Sequence, residues 1–165
     1  MDDSKYVILK RLPSPQQYND LRSVASLTPA PIEIVATGLA NSWACFLVFE
    51  RADMLNDTTP SPEQKPVGMG RLMGDGAMFL LLCDMAVHPD HQRRGLGKAM
   101  MQTLVDYCDE HAPHAYVSLV ADPMGQGLYP KFGFEDVAPS LGMFRCERVR
   151  KVRQAQAAET GREGT

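Results

Sequence analysis

The sequence predicts an α/β fold: a mixed, twisted sheet of six or seven strands with helices on both faces. Apolar, β-prone runs alternate with segments of helical periodicity along most of the chain, which is typical of this class. In the middle of the chain a strand, a tight turn, a helix of about four turns and another strand form a βαβ unit. Its two strands are expected to be parallel neighbours joined by a right-handed crossover.

The first half of the chain is predicted to contain two strands and two helices. They are a strand at 6–12, a helix at 15–25, a helix at 32–39 and a strand at 42–50. Ser14-Pro15 indicates the start of the first helix, because serine is a good cap and proline fits the first turn. The polar, proline-rich run at 53–66 is expected to be a loop at the tip of a long hairpin.

The second half is predicted to contain the central strand and its crossover helix. A glycine-rich strand at 67–73 precedes an apolar strand at 78–87, which is expected to be central and covered on both faces. Apolar spacings of three and four from Leu96 predict a helix that ends near His111, because Pro113 cannot continue it. The remaining predicted elements are a strand at 115–121, a short helix at 128–132 and closing strands at 135–137 and 143–149.

Length, charge and cysteine content limit the function. A chain of 165 residues with a formal charge of −3 fits one domain and argues against an electrostatic grip on nucleic acid. No apolar run is long enough for a membrane span and the start lacks a signal-peptide core, so we expect a cytoplasmic protein. Four scattered cysteines without a CxxC pair predict reduced thiols and no metal site: Cys45, Cys83, Cys108 and Cys146.

The turn between the central strand and the crossover helix reads HPDHQRRGLGKAM over 88–100. A helix N-terminus has unpaired amides and a partial positive charge, so it suits a phosphate group. Gly95 and Gly97 allow close approach to the backbone, and Arg93, Arg94 and Lys98 add positive charge. The pattern predicts a phosphate cradle, although these residues alone are equally compatible with a plain tight turn.

Two common nucleotide-binding motifs do not match this turn. A Walker P-loop requires GxxxxGK[ST], which the chain lacks. The dinucleotide fingerprint requires a third glycine three positions after Gly97, where the chain has Met100. A phosphate bound here is therefore expected to belong to another class of ligand.

Three linked segments of the chain resemble the GNAT N-acetyltransferase superfamily. QRRGLG at 92–97 is similar to the family's [Q/R]-x-x-G-x-[G/A] pattern, and DMAVHP at 84–89 to its strand-and-turn lead-in. GLYPKFGF at 127–134 is similar to its downstream segment. The resemblance implies a GNAT-like mixed twisted sheet, with 1–149 as a single acetyltransferase domain and 150–165 as a polar, flexible tail.

The resemblance also implies a reaction, in which an amine directly attacks acetyl-CoA in a ternary complex. The pantetheine arm would bond backbone groups of Met85, Ala86 and Val87 in a splay beside the central strand. The pyrophosphate would lie on the cradle, whose residues are Gln92, Arg93, Arg94, Gly95, Leu96, Gly97 and Lys98. Tyr129 would contact the cofactor and protonate the departing thiolate, because a phenol is protonated at neutral pH.

The general base is expected to be a carboxylate or a water molecule that a carboxylate orients. In some family members a glutamate on the central strand takes the proton of the amine, but the matching position here is Leu81. Asp84 is the candidate base on that strand, and its alternative role is structural, in the bulge of the strand. A nucleophilic Cys83 would require a two-step mechanism, which a buried and inert thiol does not favour.

The acceptor is predicted to be a primary amine of a small molecule, with no metal, nucleic acid or membrane as partner. The first two helices are expected to shape its pocket, with Arg22 and Glu33 as their charged residues. An amine of a peptide or protein and a longer acyl chain are alternatives, and homodimers are frequent in the family. A non-catalytic sensor that binds acyl-CoA is the alternative from another functional class. Tyr129 argues against a sensor, because pure binding needs no acid, whereas Leu81 favours it, because leucine cannot act as a base.

Overall fold

The computed structural model describes residues 1–147, 150 and 151, and the remaining residues lie outside the description. The chain divides into two compact units, of which the first comprises residues 1–134 and the second the residues from 135 onward. The predicted tail at 150–165 lies almost wholly outside the described residues, so it stays a prediction, as does the single domain at 1–149. Among the described helices, none combines the length and apolarity that a bilayer span requires.

The second unit differs from the sequence-based expectation. Its described residues contain no strand, so the closing strands predicted at 135–137 and 143–149 are wrong over 135–137 and 143–147. Both runs are short, and Pro139 and Gly142 between them disfavour a continuous ladder.

Seven strands are present in the described residues. In chain order they are β1 (Tyr6–Lys10), β2 (Ala44–Glu50), β3 (Met54–Asn56), β4 (Thr59–Pro60), β5 (Gly68–Gly74), β6 (Phe79–Val87) and β7 (Tyr116–Leu119). Five of them form a mixed sheet in the order β1-β2-β5-β6-β7, in which only β6 and β7 run parallel. The other two form a separate hairpin inside the polar loop predicted at 53–66, where Thr58 donates to the side chain of Asn56.

Three α-helices cover the two faces of the main sheet, which confirms the predicted fold class. They are α1 (Pro15–Val24), α2 (Ile32–Ala40) and α3 (Leu96–His111). Helices α1 and α2 pack on one face through Leu21, Val35 and Leu39, and α3 packs on the other through its buried stripe. Ser14 starts α1 with a complete capping box, because its side chain accepts from the Gln17 amide and the Gln17 side chain accepts in return.

Close contact between α3 and the sheet builds the larger core. The stripe of α3 consists of Leu96, Met100, Met101, Leu104 and Cys108, all of them buried. Gly70 of β5 lies directly beneath it, and a Cβ there would come within 2.7 Å of the Leu104 side chain. The missing side chain therefore allows α3 to approach the sheet, which fixes where the helix begins.

Removal of the Leu104 side chain is expected to destabilise the whole first unit. Leu104 is 0% exposed, so Leu104→Ala leaves a cavity and lowers the free energy of unfolding by about 2–5 kcal/mol. Urea denaturation measures the change. Leu55→Ala is the matched control, because Leu55 is 65% exposed and its variant should unfold like the wild type. Equal effects of the two substitutions would contradict this description of the core.

Candidate active site

A bulge interrupts the pairing of β5 with β6. Arg71 pairs with Cys83 and Met69 with Ala86, so two residues of β6 face the single residue between them on β5. One of the two, Asp84, has a φ of 55°, an unusual value for a residue other than glycine. Such a bulge bends its strand and redirects the side chains around it.

Beyond this bulge, β6 separates from β7. The two strands pair from Phe79 with Tyr116 to Leu82 with Leu119, whereas β6 continues to Val87. The amide of His88 donates to Val67 on the β5 side, so the alternation along the strand turns the backbone groups of Val87 to the other side. The parting of the strands thus leaves main-chain donors and acceptors of β6 facing a gap.

The gap opens into a cleft of about 200 Å³. Its lining comprises Arg22, Leu27, Leu81, Leu82, Cys83, Asp84, Met85, Val120, Asp122 and Tyr129. The cleft therefore brings together the predicted residues Asp84, Met85 and Tyr129, which sequence reasoning took from two separate motifs. Strand β7 is shorter than predicted because the chain leaves the sheet at Leu119 to form the far wall of this cleft.

Asp84 is the centre of a buried ion-pair cluster. Its carboxylate accepts from Nε of Arg71 at 2.7 Å, from the hydroxyl of Tyr18 at 3.1 Å and from Nη1 of Arg22, and its side chain is 7% exposed. The thiol of Cys83 adds a weak donor at 3.7 Å. A carboxylate has about four acceptor positions, so these contacts use them all.

The cluster ties three elements together and carries surplus positive charge. Arg22 lies on α1, Arg71 on β5 and Asp84 in the bulge, so two guanidinium groups face one carboxylate. Arg71 also donates to the carbonyl of Gly38 at 2.9 Å, which connects α2 to the cluster. These contacts favour the structural alternative for Asp84; its role as a base stays a prediction.

The cysteine of the cleft is held in its thiol form. Burial, followed by the charge of Asp84, raises the pKa of Cys83 to about 12. A thiol with that pKa has almost no thiolate at neutral pH, and the thiolate is the nucleophilic form. The geometry therefore gives no support to a two-step mechanism through Cys83.

The predicted cradle lies at the N-terminus of α3. Gly95 is the residue before the helix and has a φ of 79°, a left-handed conformation that suits glycine. The first amides of α3 have no partner within the helix and point out of its end. A Cβ on Gly97 would lie 3.9 Å from the nearest atom, Cδ2 of Leu128, so the space above these amides is open.

A buried tyrosine from β1, Tyr6, anchors this turn, and no local pattern in the sequence predicts the contact. Nη1 of Arg94 donates to the Tyr6 hydroxyl at 2.8 Å, and that hydroxyl lies 3.0 Å from Nδ1 of His91. Arg94 can only donate in this pair, whereas the donor and acceptor roles of the Tyr6 hydroxyl and Nδ1 of His91 depend on the tautomer of the His91 ring. Arg94 is thus a fixed part of the turn rather than a mobile cation.

Three other cradle residues differ in their contacts. The side-chain amide of Gln92 donates to the carbonyl of Val87 at 3.1 Å, so it closes the turn onto β6. Arg93 is exposed with a φ of 59°, and Lys98 lies in the first turn of α3. Arg93 and Lys98 are therefore the cradle cations that stay available to an anion.

Tyr129 begins a short 3₁₀-helix, Tyr129–Phe132, where the sequence predicts a helix. Its ring packs edge-to-face on Phe134 with centroids 6.3 Å apart, and Gly125 lies against the other side of the ring. Burial, followed by the charge of Asp122, raises the pKa of Tyr129. Its hydroxyl is therefore protonated at neutral pH, as an acid must be.

The described residues hold no group of three or more His, Cys, Asp and Glu side chains that could bind a metal ion. The donors of the site are instead main-chain amides, guanidinium groups and hydroxyls. Such a set suits anionic and carbonyl groups.

Loss of the Tyr6 hydroxyl is expected to loosen the turn that it anchors. Tyr6→Phe removes the acceptor of Arg94 and the hydrogen-bond partner of His91 at a side chain that is 1% exposed, which should cost about 1–3 kcal/mol. Hydrogen–deuterium exchange should show faster exchange over 91–98. Tyr116→Phe, at an exposed tyrosine of β7, is the control and should leave the exchange unchanged. Unchanged exchange in both variants would contradict the anchoring role.

Loss of the Asp84 charge is expected to destabilise the fold. Asp84→Asn keeps the shape of the side chain and leaves two mostly buried guanidinium groups without their anion, at a cost of about 3–5 kcal/mol. Asp57→Asn is the control, because Asp57 is 97% exposed in its pair with Arg51. Urea denaturation compares the two variants, and similar midpoints would show that the cluster does not hold the bulge.

Comparisons with known proteins agree with the fold. A family model described as an acetyltransferase (GNAT) domain matches residues 42–136, more than half of the chain. The chain is 28% identical to a probable acetyltransferase from methicillin-resistant Staphylococcus aureus, with a TM-score of 0.73 over 86% of this chain and 98% of that one. It has a TM-score of 0.61 with the ribosomal-protein-S18-alanine N-acetyltransferase of Escherichia coli, over 81% of this chain and 79% of that one; at 19% identity that likeness shows the fold alone.

Curated relatives include further acetyltransferases. The chain is 30% identical over 123 residues to GCN5-related N-acetyltransferase 2, chloroplastic, of Arabidopsis thaliana, a match that covers 69% of this chain and 47% of that protein. It is 29% identical over 115 residues to an uncharacterized N-acetyltransferase of Pyropia yezoensis, covering 69% and 61%. The chain thus spans about half the length of these relatives. The family model, the fold and the motifs agree, and the chain belongs to the GNAT acetyltransferase family.

Proposed function

We propose that this chain transfers an acetyl group from acetyl-CoA to a primary amine of a small molecule, by direct attack of the amine. The observation that carries the proposal is the continuity of the site. The pairing of β6 with β7 ends at Leu82, Tyr129 lines the cleft beside the gap that follows, and the predicted phosphate cradle lies at the end of the same strand.

The cradle fits the pyrophosphate of coenzyme A. The free amides of α3 and the dipole of the helix favour an anion, and Gly97 leaves the approach open. The exposed side chains of Arg93 and Lys98 add positive charge near these amides, while Arg94 holds the turn to Tyr6. The other predicted residues, Gln92, Gly95 and Leu96, shape this surface mainly through their backbone.

The gap beside β6 fits the pantetheine arm, which is rich in amides. The alternation of the strand turns the backbone amide of Val87 towards the gap, while its carbonyl accepts from the side chain of Gln92. Met85, two residues away, lines the cleft. Ala86 pairs with Met69 of β5, so its contribution to this arm is smaller than that of its neighbours. An amide near Met85 is the proposed donor to the oxygen of the thioester, where negative charge develops.

Tyr129 is the proposed acid of the reaction. Acetyl-CoA supplies the acetyl group as a thioester, and the departing thiolate requires a proton or a hydrogen bond. Tyr129 has both the protonation state and the place for this task, because its hydroxyl is protonated and its side chain lines the cleft. Direct attack agrees with the protonated state of Cys83, which leaves no thiolate to form an acyl-enzyme.

The size of the cleft favours a compact acceptor. Its volume of about 200 Å³ suits a small amine, and its wall includes the apolar side chains of Leu27, Leu81 and Val120. Relatives carry names for different acceptors: serotonin in a chloroplastic rice protein and a ribosomal-protein alanine in the Escherichia coli protein. A peptide amine is the alternative acceptor, and the cytoplasmic location and any dimer stay predictions.

A second candidate function is a non-catalytic acyl-CoA sensor. Leu81 favours it, because this apolar side chain occupies the position of the glutamate base of some relatives and lines the cleft. Release of free thiol from acetyl-CoA in the presence of a panel of amines separates the two functions. Thiol release that depends on the amine supports the transferase, and binding without release over a broad panel supports the sensor.

Binding of the cofactor is expected to depend on Gly97. Gly97→Glu places a carboxylate over the cradle, so repulsion should weaken coenzyme A binding at least about 100-fold in calorimetry. Gly97→Ala is the control, because its Cβ lies in open space and the family pattern accepts alanine there. Equal affinity in the glutamate variant and the wild type would place the pyrophosphate elsewhere.

Turnover is expected to depend on the Tyr129 hydroxyl. Tyr129→Phe keeps the ring on Phe134 and should lower kcat about 100-fold while the affinity for coenzyme A stays unchanged. Because the pKa of Tyr129 is raised, wild-type turnover should not decline until above about pH 10, the ordinary value of a tyrosine. Tyr116→Phe serves again as the control, and a phenylalanine variant at position 129 with full kcat would exclude this acid.

A further inference from the structure

The cleft contains a second carboxylate, that of Asp122, in addition to the carboxylate of Asp84. Asp122 lies on the far wall, three residues after the end of β7, and shares the cleft with Asp84 and Tyr129. Its main-chain carbonyl accepts from the amide of Gly125 at 2.8 Å, which fixes the turn that carries it. Its side chain is exposed and forms no ion pair with any residue that the structure describes. This carboxylate is therefore free to meet a ligand.

The two carboxylates of the cleft differ in how readily they can accept a proton. Asp84 is enclosed by two guanidinium groups, a hydroxyl and a thiol, so a new proton would displace one of these donors. Asp122 has no such donors and faces the space that an acceptor would occupy. Of the two, only Asp122 can take a proton without loss of a structural contact.

The opposite wall repels a cation. The cluster of Arg22, Arg71 and Asp84 has a surplus of one positive charge, and Arg22 lines the cleft directly. An ammonium group in the cleft is therefore repelled by the cluster that contains Arg22 and attracted by Asp122. This asymmetry directs the proton of an ammonium group towards Asp122.

We propose that Asp122 accepts the proton of the incoming ammonium group, and that the acceptor is a basic alkyl or arylalkyl primary amine with an apolar body. The inference rests on the proposed function, because it concerns the amine of that reaction. Leu27, Leu81 and Val120 supply the apolar surface beside the carboxylate. A basic amine needs such a group, since it arrives largely as the unreactive ammonium ion.

The proton balance closes through Tyr129. Asp122 takes one proton from the ammonium ion, and the neutral amine nitrogen forms its bond to the acetyl carbon as the bond from that carbon to sulfur breaks. Tyr129 gives its proton to the sulfur, and the proton on Asp122 returns the phenol to its starting state. The second proton that the nitrogen loses leaves to solvent, so the overall products are an amide, a thiol and one proton.

Asp122 and Tyr129 are coupled by charge. An ionised Asp122 opposes ionisation of the Tyr129 hydroxyl, which agrees with the raised pKa of that phenol. Once Asp122 has taken a proton, its charge no longer opposes proton donation by Tyr129. The acid thus becomes stronger at the step that requires it. The other titratable and charged groups around the cleft are Tyr18, Arg22, Arg71, Cys83 and Asp84.

The test compares Asp122→Asn with the wild type on two amines over a range of pH. Phenethylamine is a basic amine that enters as an ammonium ion, whereas aniline is weakly basic and already neutral at neutral pH. At about pH 7 the variant should lose about 100-fold in kcat/KM on phenethylamine and less than about threefold on aniline. Between about pH 6 and about pH 9 its kcat/KM for phenethylamine should rise about tenfold per pH unit, while that of the wild type stays nearly flat.

Controls separate this inference from the proposed function. Asp53→Asn makes the same change of charge at an exposed position outside the cleft and should behave like the wild type. Calorimetry with coenzyme A should give the same affinity for Asp122→Asn and the wild type, which shows that the variant is folded. A variant that binds coenzyme A but loses both amines equally, with a pH profile parallel to that of the wild type, would overturn the role of Asp122. If the wild-type chain binds coenzyme A but acetylates no basic amine of a broad panel, the proposed function fails, and this inference fails with it.

Discussion

The parting of β6 from β7 is the constraint on which the site depends. Backbone groups in a sheet normally pair with each other, and unpaired ones are costly unless water or a ligand satisfies them. Here the ladder stops after Leu82, and the main-chain groups that follow point into a gap beside the cradle. The gap needs no special side chains, because main-chain groups of β6 that lack a partner strand supply its hydrogen-bonding capacity.

The cluster around Asp84 keeps this gap in place. A bulge with a left-handed aspartate is an unfavourable local arrangement, and it persists because α1, α2 and β5 all contact it. The same cluster places a surplus positive charge on one wall of the cleft. Stability and electrostatics are thus coupled here, because the residues that hold the bend also set the electrostatic environment of the cleft.

Local signals in the sequence predicted much of the fold and part of the site. Helix α3 occupies its expected range because the signals that predict it are local. Its apolar periodicity lies within the helix itself, and Pro113 follows shortly after its end. Motifs in the sequence singled out the glycines of the turn and Tyr129, whose functional roles stay predictions. No motif singled out the partners of Asp84 and Arg94, because the pairs Arg22–Asp84 and Tyr6–Arg94 are 62 and 88 residues apart. Only the topology of the sheet brings such residues together.

The Tyr6–Arg94 contact has a consequence for folding and ligand affinity. The first strand of the chain completes a turn that lies beyond the middle of the sequence, so the turn before α3 cannot reach its final form before β1 has docked. A partly folded chain that lacks this strand would have a helix end without an anchored rim. An anion that bound at this helix end, such as the proposed coenzyme A, would favour the complete sheet and, by mass action, raise the temperature at which the first strand detaches.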